Sequence, residues 1–149
     1  MVRPLNVGIS PTKDNLKFYA VNKDAKAFLG DALPDWFDQL GSFKRENILK
    51  HLDGVLEPYI DETEVTIMTL DEVMDMNPNK KLNLLHIDAE GYDFQVLKSL
   101  SLEKYLPEVL IVEHKHLSST DREELFTKLS QLNYSVSVYH DDFIAILTS

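Results

Sequence analysis

The chain has 149 residues and no cysteine, which excludes disulfides, thiolate zinc sites and cysteine nucleophiles. A soluble chain of this length is expected to form one domain over residues 1–149 and to bury about 70% of its unfolded surface, and its 44% apolar content excludes wholesale disorder. The formal net charge of −10 argues against nucleic acid and anionic lipid as partners.

In chain order, Leu5 to Ser10 and Leu16 to Val21 are short apolar runs. Pro11-Thr12-Lys13-Asp14-Asn15 between them predicts a hairpin turn. Residues 22–33 mix residue types and read as loop. Pro34 suits a first helical turn, with Trp36, Phe37 and Leu40 on one face before Gly41 stops it. These aromatics read as core, with a lid over a pocket as the alternative. Ser42 is placed to cap a second helix carrying Phe43, Ile48, Leu49 and Leu52 inward, with Gly54 after it. From Asp53 to Met76 the chain holds Glu57, Asp61, Glu62, Glu64, Asp71, Glu72 and Asp75 and no Lys or Arg, a solvated acidic face.

From Glu64 onward the pattern becomes regular. Val65 to Met68 reads as a strand, and Thr69-Leu70-Asp71-Glu72 as a capping box opening a short helix to Met76. After a loop at Asn77 to Lys81, the run Leu82 to Asp88 has the character of a buried parallel strand. A helix follows Gly91 with Tyr92, Val96, Leu97 and Leu100 inward, and Val109 to Val112 is the next buried strand. Thr120-Asp121-Arg122-Glu123 reads as a second capping box. Its helix bears Leu125, Phe126, Leu129 and Leu132, and Asn133 is a left-handed stop. Tyr134 to His140 and Phe143 to Leu147, joined at Asp141-Asp142, must be antiparallel. The alternation predicts an α/β fold: a mostly parallel sheet with a C-terminal antiparallel hairpin.

Ligands of such sheets sit at the carboxyl ends of the strands. Two ends carry acids. In Asp88-Ala89-Glu90-Gly91, two carboxylates held close favour a proton, a cation or a hydrogen-bonding ligand, or else cap the next helix. Glu113 and His114 at the second end suit a general base or substrate contact, or a polar strand exit. A metal site joining Asp88, Glu90, Glu113, His114 and His116 is chemically reasonable, but no ligand spacing supports it and none is assigned. His51 and His140 read as surface residues and His86 as a core histidine. None of Gly8, Gly30, Gly41, Gly54 and Gly91 has the spacing of a dinucleotide loop or P-loop, and there is no G-x-S-x-G elbow. No apolar run approaches the ~20 residues of a membrane span, and the N-terminus lacks a signal peptide's apolar stretch, so a cytoplasmic address is expected.

Thr69-Leu70-Asp71, then Leu84-Leu85-His86-Ile87-Asp88-Ala89-Glu90-Gly91-Tyr92-Asp93-Phe94-Gln95-Val96-Leu97-Lys98, then Pro107 to Glu113 resemble the FkbM family of methyltransferases. That family shows "T-L-D", "L-L-K-I-D-x-E-G-x-E-x-x-V-L-K-G" and "P-x-x-I-x-x-E" in this order. Val7 to Ser10 and Leu16 to Tyr19 resemble its preceding strand pair. His86 stands in place of the family's Lys and Ser99 in place of its Gly. The resemblance implies a Rossmann-like class I fold that uses S-adenosylmethionine, usually for O-methylation of a small-molecule or glycan acceptor. It implies cofactor contacts from Asp88 and Glu90, acceptor contacts from Glu113 and His114, and Asp88 or His114 as base. The family's glycine-rich cofactor loop has no counterpart among these residues. The expectation is therefore a partial domain, resembling the C-terminal portion of such an enzyme, that binds the cofactor weakly or not at all by itself and either self-associates or is a marginally stable monomer whose N-terminal strands cover the open edge at Leu82 to Asp88. A non-enzymatic interaction domain on the same fold is the alternative.

Overall fold

The computed structural model describes residues 3–13, 16–89 and 91–148. The chain forms two compact units. The first takes residues 1–8 and 14–67, the second residues 9–13 and 68–149.

The first stretch of the first unit ends within β1 (Gly8–Ile9), where the Gly8 amide donates to the Thr66 carbonyl at 2.8 Å. β2 (Lys17–Val21) pairs with other strands and not with β1, so the hairpin expected over Leu5 to Val21 does not form among the described residues. Of its expected turn, Asp14 and Asn15 lie outside the described residues. The supposed loop at 22–33 contains α1 (Ala25–Leu29), a helix too short to show apolar periodicity. The helix expected from Pro34 is only a 3₁₀ turn at Phe37–Gln39 that buries Phe37 and leaves Trp36 exposed. Gly41 does not stop a helix but lies in β3 (Gly41–Ser42), where an added Cβ would meet the Phe18 ring at 2.5 Å. α2 (Arg45–Leu49) starts after Lys44, so Ser42 is not its cap. The Ser42 hydroxyl instead accepts from the Lys44 amide and the Asn47 side chain.

β4 (Ile60–Glu64) was hidden by its acids: only Ile60 is apolar at its start, and the strand forms through backbone pairing with β2, in the order β3-β2-β4, all antiparallel. Its exposed carboxylates fit the expected solvated face, with Glu62 2.7 Å from Lys17 and Asp61 accepting from Asn22. Val21, Ala25, Leu33, Phe37, Ile48 and Leu56 form the core of this unit. The chain leaves it within β5 (Ile67–Met68), shorter than the strand expected from Val65.

In the second unit the alternation holds. Thr69 caps α3 (Leu70–Asp75) with both halves of the predicted box: the Glu72 amide donates to the Thr69 hydroxyl at 3.1 Å, and the Thr69 amide donates to the Glu72 carboxylate at 2.9 Å. β6 (Leu84–Ile87), α4 (Asp93–Lys98), a further single-turn helix α5 (Leu102–Tyr105) and β7 (Val109–Glu113) follow. α6 (Ser119–Gln131) is capped by Ser118 rather than Thr120, because the Ser118 hydroxyl accepts from the Asp121 amide and donates to the Asp121 carboxylate. Asn133 takes the left-handed conformation expected of it, with φ of 62°. β8 (Tyr134–Tyr139) and β9 (Asp142–Leu147) form the predicted antiparallel hairpin, turning at His140 and Asp141 rather than at Asp141-Asp142.

The sheet order is β6-β7-β9-β8. β6 and β7 run parallel, as do the short β1 and β5 by their hydrogen bonds, while β2–β3, β2–β4, β7–β9 and β8–β9 are antiparallel, so the fold is mixed α/β and the expected parallel majority does not hold among the described pairings. Register alternates two faces. Ile87, Leu110, Val112, Phe143 and Ala145 share the face that packs with Phe94, Leu97, Leu125 and Leu129 in the core. Leu84, His86, Ile111, Ile144 and Ile146 share the other. Leu84 is 55% exposed and His86 is exposed, so the run is not buried on both faces and His86 is not a core histidine. His51 and His140 are exposed as expected.

Candidate functional site

The parallel pairing of β6 with β7 aligns Leu84 with Val109 and Ile87 with Val112, so Asp88 and Glu113 follow at neighbouring carboxyl ends. One carboxylate oxygen from each of Asp88, Asp93 and Glu113 lies within 4.8 Å of the other two. Asp88 is exposed, Glu113 half-buried and Asp93 only 1% exposed.

Asp93 is the residue that sequence reasoning missed. It is the first residue of α4, and its two oxygens accept from the Ala89 amide at 2.8 Å and the Gly91 amide at 3.0 Å. These charge-assisted bonds fold the strand end back onto the helix start. Gly91 completes the turn with φ of +94°, which disfavours any side chain, and an added Cβ would also lie 3.3 Å from the His116 Cβ. The available signal was an acid two residues after a glycine at the start of an apolar helix. Asp93 therefore serves the backbone, which leaves Asp88, among the described residues, as the acid at this strand end that faces solvent. Glu90, an expected cofactor contact, lies outside the described residues.

His114 sits differently from its expected partners. Its amide donates to the Asp141 carbonyl at 2.7 Å, and its ring stacks on Phe143 with centroids 4.3 Å apart. Phe143 belongs to the helix-covered core, and both ring nitrogens of His114 are shut off from solvent without a hydrogen-bond partner. To accept a proton from a substrate, the imidazole would have to leave this stack. His116 is exposed and sits beside Gly91. The structure thus brings Asp88 and Glu113 together, adds Asp93, and holds the His114 ring against the core.

Ser10 anchors the turn from another direction. It is fully buried, its amide donates to the Met68 carbonyl, and its hydroxyl lies 3.1 Å from the Tyr92 hydroxyl. Trp36, the candidate lid residue, lies in the first unit with its ring 5.8 Å from that of His51.

Among the described residues, no helix is long and apolar enough to cross a membrane. The model of the family described as methyltransferase FkbM domain matches residues 1–145. No curated protein and no solved structure matches the chain.

Proposed function

Because the chain belongs to the methyltransferase FkbM family, we propose that it transfers a methyl group from S-adenosylmethionine to a hydroxyl of a small molecule or glycan, at the carboxyl ends of β6 and β7. The observation that carries this reading is the convergence of Asp88, Asp93 and Glu113 within 4.8 Å. S-adenosylmethionine supplies, when bound, an electrophilic methyl group on a positively charged sulfur. Three converging carboxylates suit a cationic donor, since opposite charges attract more strongly where protein replaces water. Asp88, exposed and unburdened by backbone bonds, is placed to contact the donor and to take the proton of an acceptor hydroxyl. Glu113 holds the acceptor from the next strand, with the His114 backbone fixed to Asp141 behind it. Most of the rate gain in such a transfer comes from alignment of acceptor, methyl and leaving sulfur. The turn held by Asp93 supports that alignment.

Donor binding is expected to be weak, because none of the five glycines has the spacing of a phosphate or dinucleotide loop. Titration calorimetry with S-adenosylmethionine tests the reading. The expected result is affinity weaker than micromolar that falls further in Asp88→Asn. Micromolar or tighter binding that ignores Asp88→Asn would place the donor elsewhere. Complete absence of donor binding would favour a non-enzymatic domain on this fold.

A further inference from the structure

We propose that the hollow at the start of α6 binds a small organic monocarboxylate with an apolar body, anchored by Arg122. This goes beyond methyl transfer and does not depend on it. The hollow measures about 550 Å³ and is lined by Leu117, Ser119, Arg122, Glu123 and Phe126.

Arg122 is the anchor because its guanidinium is only partly used. One terminal nitrogen donates to the His114 carbonyl at 3.2 Å, while Nε is buried without a hydrogen-bond partner. Lys98, Lys104, Lys115 and Lys128 of the same unit each pair with a carboxylate, whereas no described carboxylate lies within ion-pair distance of Arg122. Of the five fixed donors of this half-buried guanidinium, one is met by the His114 carbonyl and the Nε donor is shut off from solvent, so the terminal nitrogens carry the recognition. A carboxylate matches two of them side by side.

The walls select the rest of the ligand. Leu117 and Phe126 offer apolar surface, and Phe126 stays 38% exposed although its ring packs edge-on against Phe143. The start of α6 is not the anchor, since Ser118 and Asp121 already close that end on each other. Glu123 also lines the hollow and opposes any anion. Inorganic phosphate has no apolar body to cover Leu117 and Phe126, so an organic monocarboxylate is favoured over it.

The probe is 3-phenylpropanoate, titrated into the full chain and followed by calorimetry and amide chemical shifts around residues 117–126. Saturable binding should appear, and the uncharged amide of the same acid should not bind. Arg122→Gln should weaken binding by roughly tenfold or more, about what loss of one charge-assisted pair gives. Glu123→Gln should tighten it. Equal binding of acid and amide would overturn the proposal, as would stronger binding of inorganic phosphate. If Arg122→Gln fails to fold, Glu123→Gln decides alone: unchanged or weakened affinity in that variant defeats the site.

Discussion

The two aspartates at the end of β6 differ in what they hold, and their substitutions should part accordingly. Asp93 satisfies the buried turn amides of Ala89 and Gly91. Asp93→Ala should therefore cost about 3 kcal/mol, since charged hydrogen bonds are lost and buried donors are left unmet. Asp88 is exposed and bonds to no backbone group among the described residues, so Asp88→Asn should leave the denaturant midpoint almost unchanged while lowering donor binding and turnover. A large stability loss in Asp88→Asn would assign that residue to helix capping instead. Tyr134 gives a second residue-scale expectation. It is 7% exposed, its hydroxyl donates to the Pro107 carbonyl at 2.6 Å, and burial pushes the phenol up to about 12 from 10.0. A phenol raised in the folded state favours the neutral form, so this stabilisation is complete below pH 10.0 and is lost as pH rises towards 12. Tyr134→Phe should lower stability at neutral pH by about 1–3 kcal/mol through the unmet carbonyl, and should flatten the alkaline decline in a pH series of urea melts.

At the scale of elements, the capping box of α3 is a local device and should titrate as one. The Lys13 ammonium, 2.5 Å away, and the Thr69 amide hold the Glu72 carboxyl below its ordinary 4.5. A lowered carboxylate stabilises the fold above its unfolded value, and that contribution is lost as pH falls below 4.5. Thr69→Ala should cost about 1 kcal/mol. Glu72→Gln should reduce the acid sensitivity of α3 in amide exchange. Such devices explain what was legible. Thr69 to Glu72, the apolar runs of β6 and β7 and the stop at Asn133 each encode their structure within a few residues. The first unit was opaque because its elements are short and its pairings distant: β2 pairs with β3 and β4, and Ile60 to Glu64 has no apolar alternation to announce a strand. The site divides in the same way. Asp88 and Glu113 end apolar strands and so stood out, whereas the role of Asp93 lies in backbone bonds. His114 follows Glu113 in sequence, but its stack on Phe143 depends on β9, far along the chain.

At the scale of the whole molecule, a sheet edge left unpaired among the described strands meets a strong net charge. β6 pairs only with β7 among the described strands. The Val109 amide donates to the Asn83 carbonyl, so by alternation the backbone groups of Leu84 and His86 point away from β7. Leu84-Leu85-His86-Ile87 carries neither lysine nor proline, two usual protections of an edge, and Leu84 is 55% exposed. Such an edge invites a second copy, strand against strand about a two-fold axis. The net charge of −10 opposes that encounter. Salt decides between the two, because the screening length falls from about 10 Å at 0.1 M to about 3 Å at 1 M while backbone pairing is little affected. Light scattering should therefore show a monomer at low ionic strength and growing self-association as salt rises. Slower exchange of the Leu84 and His86 amides should accompany it. Leu84→Lys should hold the chain monomeric throughout, since it places a charge on the edge. A wild-type chain that stays monomeric at 1 M salt, or a Leu84→Lys variant that associates equally well, would show that the edge of β6 is closed to a second copy.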